Sequence, residues 1–220
     1  MGFQGYISLR NPNYVFEIIQ NNNEWKAEFL WAGEGDEPID ERKKDILTLC
    51  AESCYEQGRF GNQLKNKWTV LDHCYALGTF IRLKYPDKLN YALQAFHHDL
   101  HEGVFVDMPR PFKTSEIKKI EIVVTNAMPS GWCWDQTISK TVKYWDAIAC
   151  VVEAKLNSPG GWGWVSEGYK ENPEDCKLYE EFMIQLCNEL SPYIRYHLVT
   201  PEEFISEILT LEKQFDESSK

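Results

Sequence analysis

Two stretches of helical periodicity each place an ionisable side chain on the face that has to be buried, and any fold this chain adopts must accommodate both. In Trp68-Thr69-Val70-Leu71-Asp72-His73-Cys74-Tyr75-Ala76-Leu77-Gly78-Thr79-Phe80, the residues His73, Leu77 and Phe80 fall at i, i+4 and i+7 of one face, so the imidazole points into the core. In Val142-Lys143-Tyr144-Trp145-Asp146-Ala147-Ile148-Ala149-Cys150-Val151-Val152-Glu153, the residues Val142, Asp146, Ala149 and Glu153 share a face that is otherwise apolar. A carboxylate there is costly unless it is paired, hydrogen-bonded or bound to a metal. For either residue alone, a core polar group satisfied by its neighbours is the better reading.

A third stretch reverses those odds. His98-Asp99-Leu100-His101-Glu102 runs directly into Gly103-Val104-Phe105-Val106-Asp107-Met108-Pro109. An imidazole next to a carboxylate offers a hard or borderline divalent ion two ligands from one short segment, and Glu102 lies one helical turn beyond His98. On composition alone a solvated helix end is the better reading of the stretch. Together, however, His73, His98, Asp99 and Asp146 make a four-ligand set for a metal ion, and Glu102 becomes the carboxylate placed to orient a water or carry its proton.

The order of these residues carries a resemblance. Asp45-Ile46-Leu47 leads to Arg59-Phe60-Gly61-Asn62, then to Thr69-Val70-Leu71-Asp72-His73-Cys74, then to His98-Asp99-Leu100-His101-Glu102 and Asp107-Met108-Pro109-Arg110-Pro111-Phe112-Lys113, then to Asp146 and Glu153-Ala154. A lone His, a His-Asp pair 25 residues on and a lone Asp in a later helix resemble the H…HD…D signature of the HD-domain phosphohydrolase superfamily. The closer resemblance is to its small bacterial and phage deoxynucleotide hydrolases, over roughly residues 40 to 156. Cys74 stands where Ser is usual in that group, Asp72 where Glu or Gln is common, and Leu100 where a small residue is typical, differences that bear on the surroundings of the metal.

The resemblance implies a divalent metal (Mn, Co, Zn, Ni or Mg) on His73, His98, Asp99 and Asp146, with Glu102 and Asp107 as catalytic residues, Asp107 acting near the leaving group or sugar. It implies that Arg59 grips phosphate through its bidentate donors, and that Phe60 stacks or packs near the nucleoside, with an ordinary core position an equal alternative. Lys113 is a further phosphate-binding candidate, as are Lys65, Lys67 and Arg110. The implied activity is hydrolysis of a phosphoester bond in a (deoxy)nucleotide, releasing nucleoside plus phosphate from a monophosphate or nucleoside plus triphosphate from a dNTP. Hydrolysis of a cyclic or signalling nucleotide, and a catalytically silent nucleotide-binding protein, are the alternatives. Dimers or larger rings are implied as well.

Helical periodicity predicts helices at about 38 to 57, 69 to 85, 87 to 101, 114 to 126 and 137 to 156. Two more follow, one opened by Asn172-Pro173 and one by Thr200-Pro201-Glu202-Glu203, where Thr200 and Glu203 fit a capping box. Residues 157–171, rich in Gly, Pro and Trp, read as a loop. Near the N-terminus, Tyr14 to Ile19 and Trp25 to Trp31 flank an Asn-rich turn and predict a β-hairpin, an edge embellishment or an oligomer contact. The expected fold is therefore an all-α helical bundle, of HD type by the resemblance, with a small N-terminal hairpin. It forms one domain over 1–220: hairpin extension 1–37, metal-binding core 38–156, loop and C-terminal helices 157–220.

Bulk properties agree with a compact enzyme of small molecules. At 220 residues and 43% hydrophobic, the chain can bury a core as one domain. Its formal net charge of −11 argues against nucleic-acid polymers and membrane surfaces as partners but is compatible with a small nucleotide held by a metal and a few cations. Seven scattered cysteines without a Cys-x-x-Cys pair read as reduced core residues in a cytoplasmic protein, in the host cytoplasm if phage-encoded. No leader or spanning segment is expected. Among secondary candidates, His97 and His101 read as solvent-facing or hydrogen-bonded rather than as reaching the substrate's phosphates, His197 as structural with no partner in sight, Glu153 as pairing with a buried cation rather than binding metal, Trp132, Trp134, Trp162 and Trp164 as packing residues or, less readily, as walls of a base pocket, and the acidic tail from Phe215 to Lys220 as frayed.

Overall fold

The computed structural model describes residues 3–8, 14–21, 24–31, 39–62, 68–104, 113–127, 138–157, 163–190 and 197–218. Three strands, β1 (Phe3–Ser8), β2 (Tyr14–Asn21) and β3 (Glu24–Trp31), form an antiparallel sheet in chain order. The predicted hairpin is β2 with β3, in a register that pairs Asn21 with Glu24 and Val15 with Leu30. The third strand was not predicted. β1 is six residues with a central glycine and weak alternation, and it forms because β2 presents a row of unpaired backbone groups, with Gly5 opposite Ile18. The sheet is also more than an edge embellishment: Ile18 is buried in the main core, Trp25 and Ala27 pack against it, and Trp25 Nε1 donates to Glu116 Oε2 at 2.9 Å.

The rest of the described chain is helical: α1 (Ile39–Glu56), α2 (Val70–Lys84), α3 (Leu89–His97), α4 (Ser115–Ala127), α5 (Lys140–Asn157), α6 (Gly163–Glu171), α7 (Pro173–Leu190) and α8 (Pro201–Ser218), with 3₁₀ helices at Arg59–Asn62 and Leu100–Gly103. α6 occupies part of the segment read as a loop. Val165, Gly168, Tyr169 and Asn172 recur at helical spacing on its inward side, a pattern obscured by the glycines and tryptophans around it. α8 runs to Ser218, well into the acidic tail. Among the described residues, no helix is long and apolar enough to cross a membrane.

α2 is the central element, because it is apolar nearly all round. Val70, Leu71 and Cys74 pack with Ile46, Leu47 and Cys50 of α1 and Phe204, Ile208 and Leu211 of α8. Ala76, Leu77, Phe80 and Ile81 enter a second core with Val142, Trp145, Ala149 and Val152 of α5 and Tyr179 and Met183 of α7. α3 serves both, sending Leu93 and Phe96 one way and Ala92 and Ala95 the other. Each such Leu or Phe contributes about 1.5–3 kcal/mol on burial, so His73 on α2 and His98 just after α3 are held by two cores at once.

Caps set where α2 begins. Thr69 accepts from the Asp72 amide at 3.1 Å while Asp72 Oδ2 accepts from the Thr69 amide at 3.0 Å, a reciprocal capping box immediately before His73. The other Asp72 oxygen accepts from the Leu198 amide at 2.7 Å and ties down the segment leading into α8. The capping box read at Thr200 and Glu203 is present, at 3.0 and 3.3 Å. His197 does have partners, stacking on Tyr55 at 4.0 Å and lying 3.4 Å from Asp72. The described cysteines are free thiols, and burial pushes that of Cys50 up to about 12.

Candidate metal centre

His73 comes from the first turns of α2, Asp146 from the middle of α5, and His98 and Asp99 from the end of α3. Neighbouring residues in an uninterrupted helix point about 100° apart, so a His-Asp pair cannot converge there. The helix predicted to reach residue 101 instead ends at His97, and Asp99 adopts φ −111°, ψ 7°, the bridge region where turn and active-site residues gather. That break swings the carboxylate round to 3.3 Å from His98 Nε2. The chain then enters the 3₁₀ helix, where residues three apart eclipse one another, and Glu102, whose amide donates to the Asp99 carbonyl at 2.9 Å, stacks on the Asp99 side of the turn. The following glycine is required by packing: a Cβ on Gly103 would lie 2.7 Å from the Cys50 carbonyl oxygen and 2.9 Å from its Cα.

One ligand atom from each of His73, His98, Asp99 and Asp146 lies within 4.8 Å of all the others, and the group can hold a metal ion. His73 Nε2 is 3.1 Å from His98 Nε2, 3.2 Å from Asp146 Oδ1 and 3.8 Å from Asp99 Oδ2; His98 Nε2 is 3.6 Å from Asp146 Oδ1.

The outer nitrogens decide what this cluster can do. His98 Nδ1 lies 2.7 Å from the Ala95 carbonyl and His73 Nδ1 lies 2.8 and 3.0 Å from the two oxygens of Glu153. A carbonyl and a carboxylate only accept, so both Nδ1 atoms carry a proton, and the two Nε2 atoms, 3.1 Å apart and facing the aspartates, are the ones that can hold something positive between them, a proton or a metal ion. Acceptors on the outer nitrogens are also the usual support of metal-bound histidines. Among the described residues, Arg59 lies against Asp99 and Glu153, and Asp146 adds a third carboxylate to the group, an excess of negative charge suited to a dication. The residues present fit a divalent metal.

Electrostatics in the protein alone point the same way. Burial pushes the Asp146 carboxyl up, but hydrogen bonds from His73 and His98 outweigh it and hold it well below the usual carboxylate range. Asp99 is lowered likewise, against burial, chiefly by His98. Burial favours the neutral form of His98, yet Asp99 and the groups around it hold it well above the ordinary imidazole value. An ion held by these residues would take the place of the Nε2 protons. Both imidazoles are sealed, at 0% and 4% side-chain exposure, whereas Asp99 and Asp146 keep 20% and 25%. The carboxylate side is open, as a centre that admits a further ligand requires.

Around this group, Arg59 is buried and donates from Nη1 to Asp99 Oδ2 at 3.1 Å and from Nη2 to Cys150 Sγ at 3.0 Å; its Nε lies 3.8 Å from Glu153. The Cys150 thiol in turn donates toward Asp146 Oδ1 at 3.6 Å. Phe60 follows with φ 54°, rare for an aromatic residue and costing of order 1–3 kcal/mol. Glu102 is buried, with Lys113 Nζ 3.7 Å from its Oε1 and 2.8 Å from Glu121. Asp107, Arg110, Lys65, Lys67, Trp132, Trp134 and Trp162 lie outside the described residues. His97 donates from Nδ1 to the Leu93 carbonyl at 2.7 Å, a structural bond, and burial lowers His101 toward neutrality.

The sequence placed Glu153 on the Asp146 face as a partner for a buried cation; its shortest contacts are to the His73 imidazole. Glu121 and Cys150 carried no sequence signal, being an ordinary helix-face Glu and one of several core thiols. Glu153→Gln keeps an acceptor for Nδ1 but loses the charge behind it. It is expected to weaken Mn²⁺ or Co²⁺ binding about 10- to 100-fold with the helical circular dichroism unchanged, as titration calorimetry on the purified variant will check.

These features define a mostly helical protein with an N-terminal antiparallel sheet and a His₂Asp₂ group able to hold a metal ion. No family model matches the chain, and no curated protein matches it.

Proposed function

We propose that the protein is a metal-dependent phosphohydrolase of HD-domain type, cleaving a phosphoester bond in a deoxynucleotide. One observation carries this: four ligand atoms from α2, α5 and the turn after α3 converge, the outer nitrogens of the two histidines braced by acceptors, while the carboxylate side stays open. The H…HD…D order of those ligands and the Glu102 that follows them support the class.

His73, His98, Asp99 and Asp146 would hold a divalent ion, which would supply Lewis-acid charge to a phosphate and lower the pKa of water there. The chain supplies the rest. Arg59 uses two of its five guanidinium N–H groups on Asp99 and Cys150, and others can donate to a phosphate oxygen. Lys113, held protonated by Glu121 and Glu102 against the effect of burial, adds positive charge beside the proposed base. Glu102 orients the attacking water and takes its proton at a carboxylate oxygen as the water oxygen bonds to phosphorus and the ester P–O bond breaks, and that proton passes on to the departing nucleoside oxygen.

Product analysis tests this directly. The Mn²⁺- or Co²⁺-loaded protein is incubated with dNMPs, dNTPs, ribonucleotides and cyclic nucleotides, with and without chelator. Chelator-sensitive release of nucleoside with phosphate identifies a 5′-nucleotidase, and nucleoside with intact triphosphate a triphosphohydrolase. No product from any of them removes the proposal.

A further inference from the structure

We infer that Trp164, backed by Phe60, is the stacking platform for the base of a nucleotide whose phosphate is held at the metal centre. This rests on the phosphohydrolase reading above and extends it to a residue on a different helix.

An unbroken line of contacts leads outward from the ligands. Asp99 Oδ2 accepts from Arg59 at 3.1 Å, the Arg59 guanidinium lies 5.5 Å from the centroid of the Phe60 ring, and that ring stacks on Trp164 at 6.2 Å between centroids with 29° between planes. Phe60 reaches Trp164 from a left-handed backbone conformation that an aromatic residue rarely adopts, the kind of strain that collects at ligand sites. Trp164 remains 44% exposed, although Val165 beside it is buried.

Trp164 is held there by the helix that carries it. α6 lies so close to α5 that a Cβ on Gly168, one turn after Trp164, would sit 2.6 Å from a methyl of Val151. Tyr169 donates to Glu180 at 2.8 Å and lies under Lys155, whose Nζ is 4.2 Å from the ring centroid. The indole thus projects from a fixed support at the outer end of a line that starts at a metal ligand.

The chemistry along that line selects the occupant. One end offers a dication site and a guanidinium, which suit a phosphate; the other offers an aromatic face with no charge of its own. A nucleotide has phosphate and π-face in that order. Aromatic stacking tolerates every base, so the platform also implies a broad base range.

The test compares Kd values for two probes on Mn²⁺-loaded protein: a slowly hydrolysed deoxynucleoside 5′-phosphorothioate, and 2-deoxyribose 5-phosphate, which lacks the base. Trp164→Ala is expected to weaken the nucleotide about 5- to 100-fold and leave the sugar phosphate unchanged. Trp164→Phe keeps most of the affinity but loses most of the tryptophan quenching seen on binding. Equal loss of both probes makes Trp164 structural and overturns the platform, as does unchanged nucleotide binding in Trp164→Ala. Wild-type protein that binds neither probe overturns the phosphohydrolase reading together with the platform, whereas the other two failures leave that reading intact.

Discussion

Asp99→Ala is expected to abolish stoichiometric binding of Mn²⁺ or Co²⁺ and to cut phosphoester turnover by about 10³-fold or more, since a bound ion supplies several kcal/mol of charge stabilisation in the transition state. Asp99 is also the nearest carboxylate to the Arg59 guanidinium, at 3.1 Å, so a purely structural role has to be separated from ligation. Metal content by mass spectrometry and melting temperature with and without ion do this. If Asp99 is a ligand, wild-type protein melts higher with added Mn²⁺, by the mass-action stabilisation that any native-state ligand confers, and the variant does not respond. A wild-type melting temperature indifferent to every divalent ion tried would sink the assignment. Arg59 keeps Cys150 at 3.0 Å and Glu153 at 3.8 Å, so the variant should fold, with circular dichroism as the check.

Glu102→Gln should do the opposite to the metal and nearly the same to the rate. The ligand set is untouched, so ion content stays at the wild-type level, while kcat falls about 10²- to 10⁴-fold, the usual worth of a positioned general base. Gln is close in size to Glu, and the tight approach of Gly103 to the α1 backbone is preserved. Full activity in the variant would remove Glu102 from the mechanism.

The two assignments differ in how far the sequence supported them. The group of His73, His98, Asp99 and Asp146 that could hold a metal ion was legible because its members break local rules: an imidazole on an apolar helix face, a carboxylate on another, and an adjacent His-Asp pair are all expensive unless they share a purpose. Helix boundaries were legible wherever periodicity and caps agreed, as at Thr200 and Glu203. Placement of Glu102 assumed a helix continuing through residue 101. In the structure the helix ends at His97 and a 3₁₀ turn carries Glu102, a change that no periodicity announces.

By itself, then, the sequence determined which residues must be buried and on which helices, because the 3.6-residue period and the cost of lone buried charge act within a few turns of chain. It also specified the β2–β3 pairing, through alternation around an Asn-rich stretch. Tertiary structure alone decided how those charges are satisfied: that Glu153 braces His73 rather than only a cation, that Arg59 lies on Asp99, that β1 completes the sheet, and that α6 carries Trp164 to Phe60. Those outcomes depend on contacts between segments far apart in the chain, where α2 packs into two cores at once and fixes the separation of its neighbours. Local pattern carries no term for that distance.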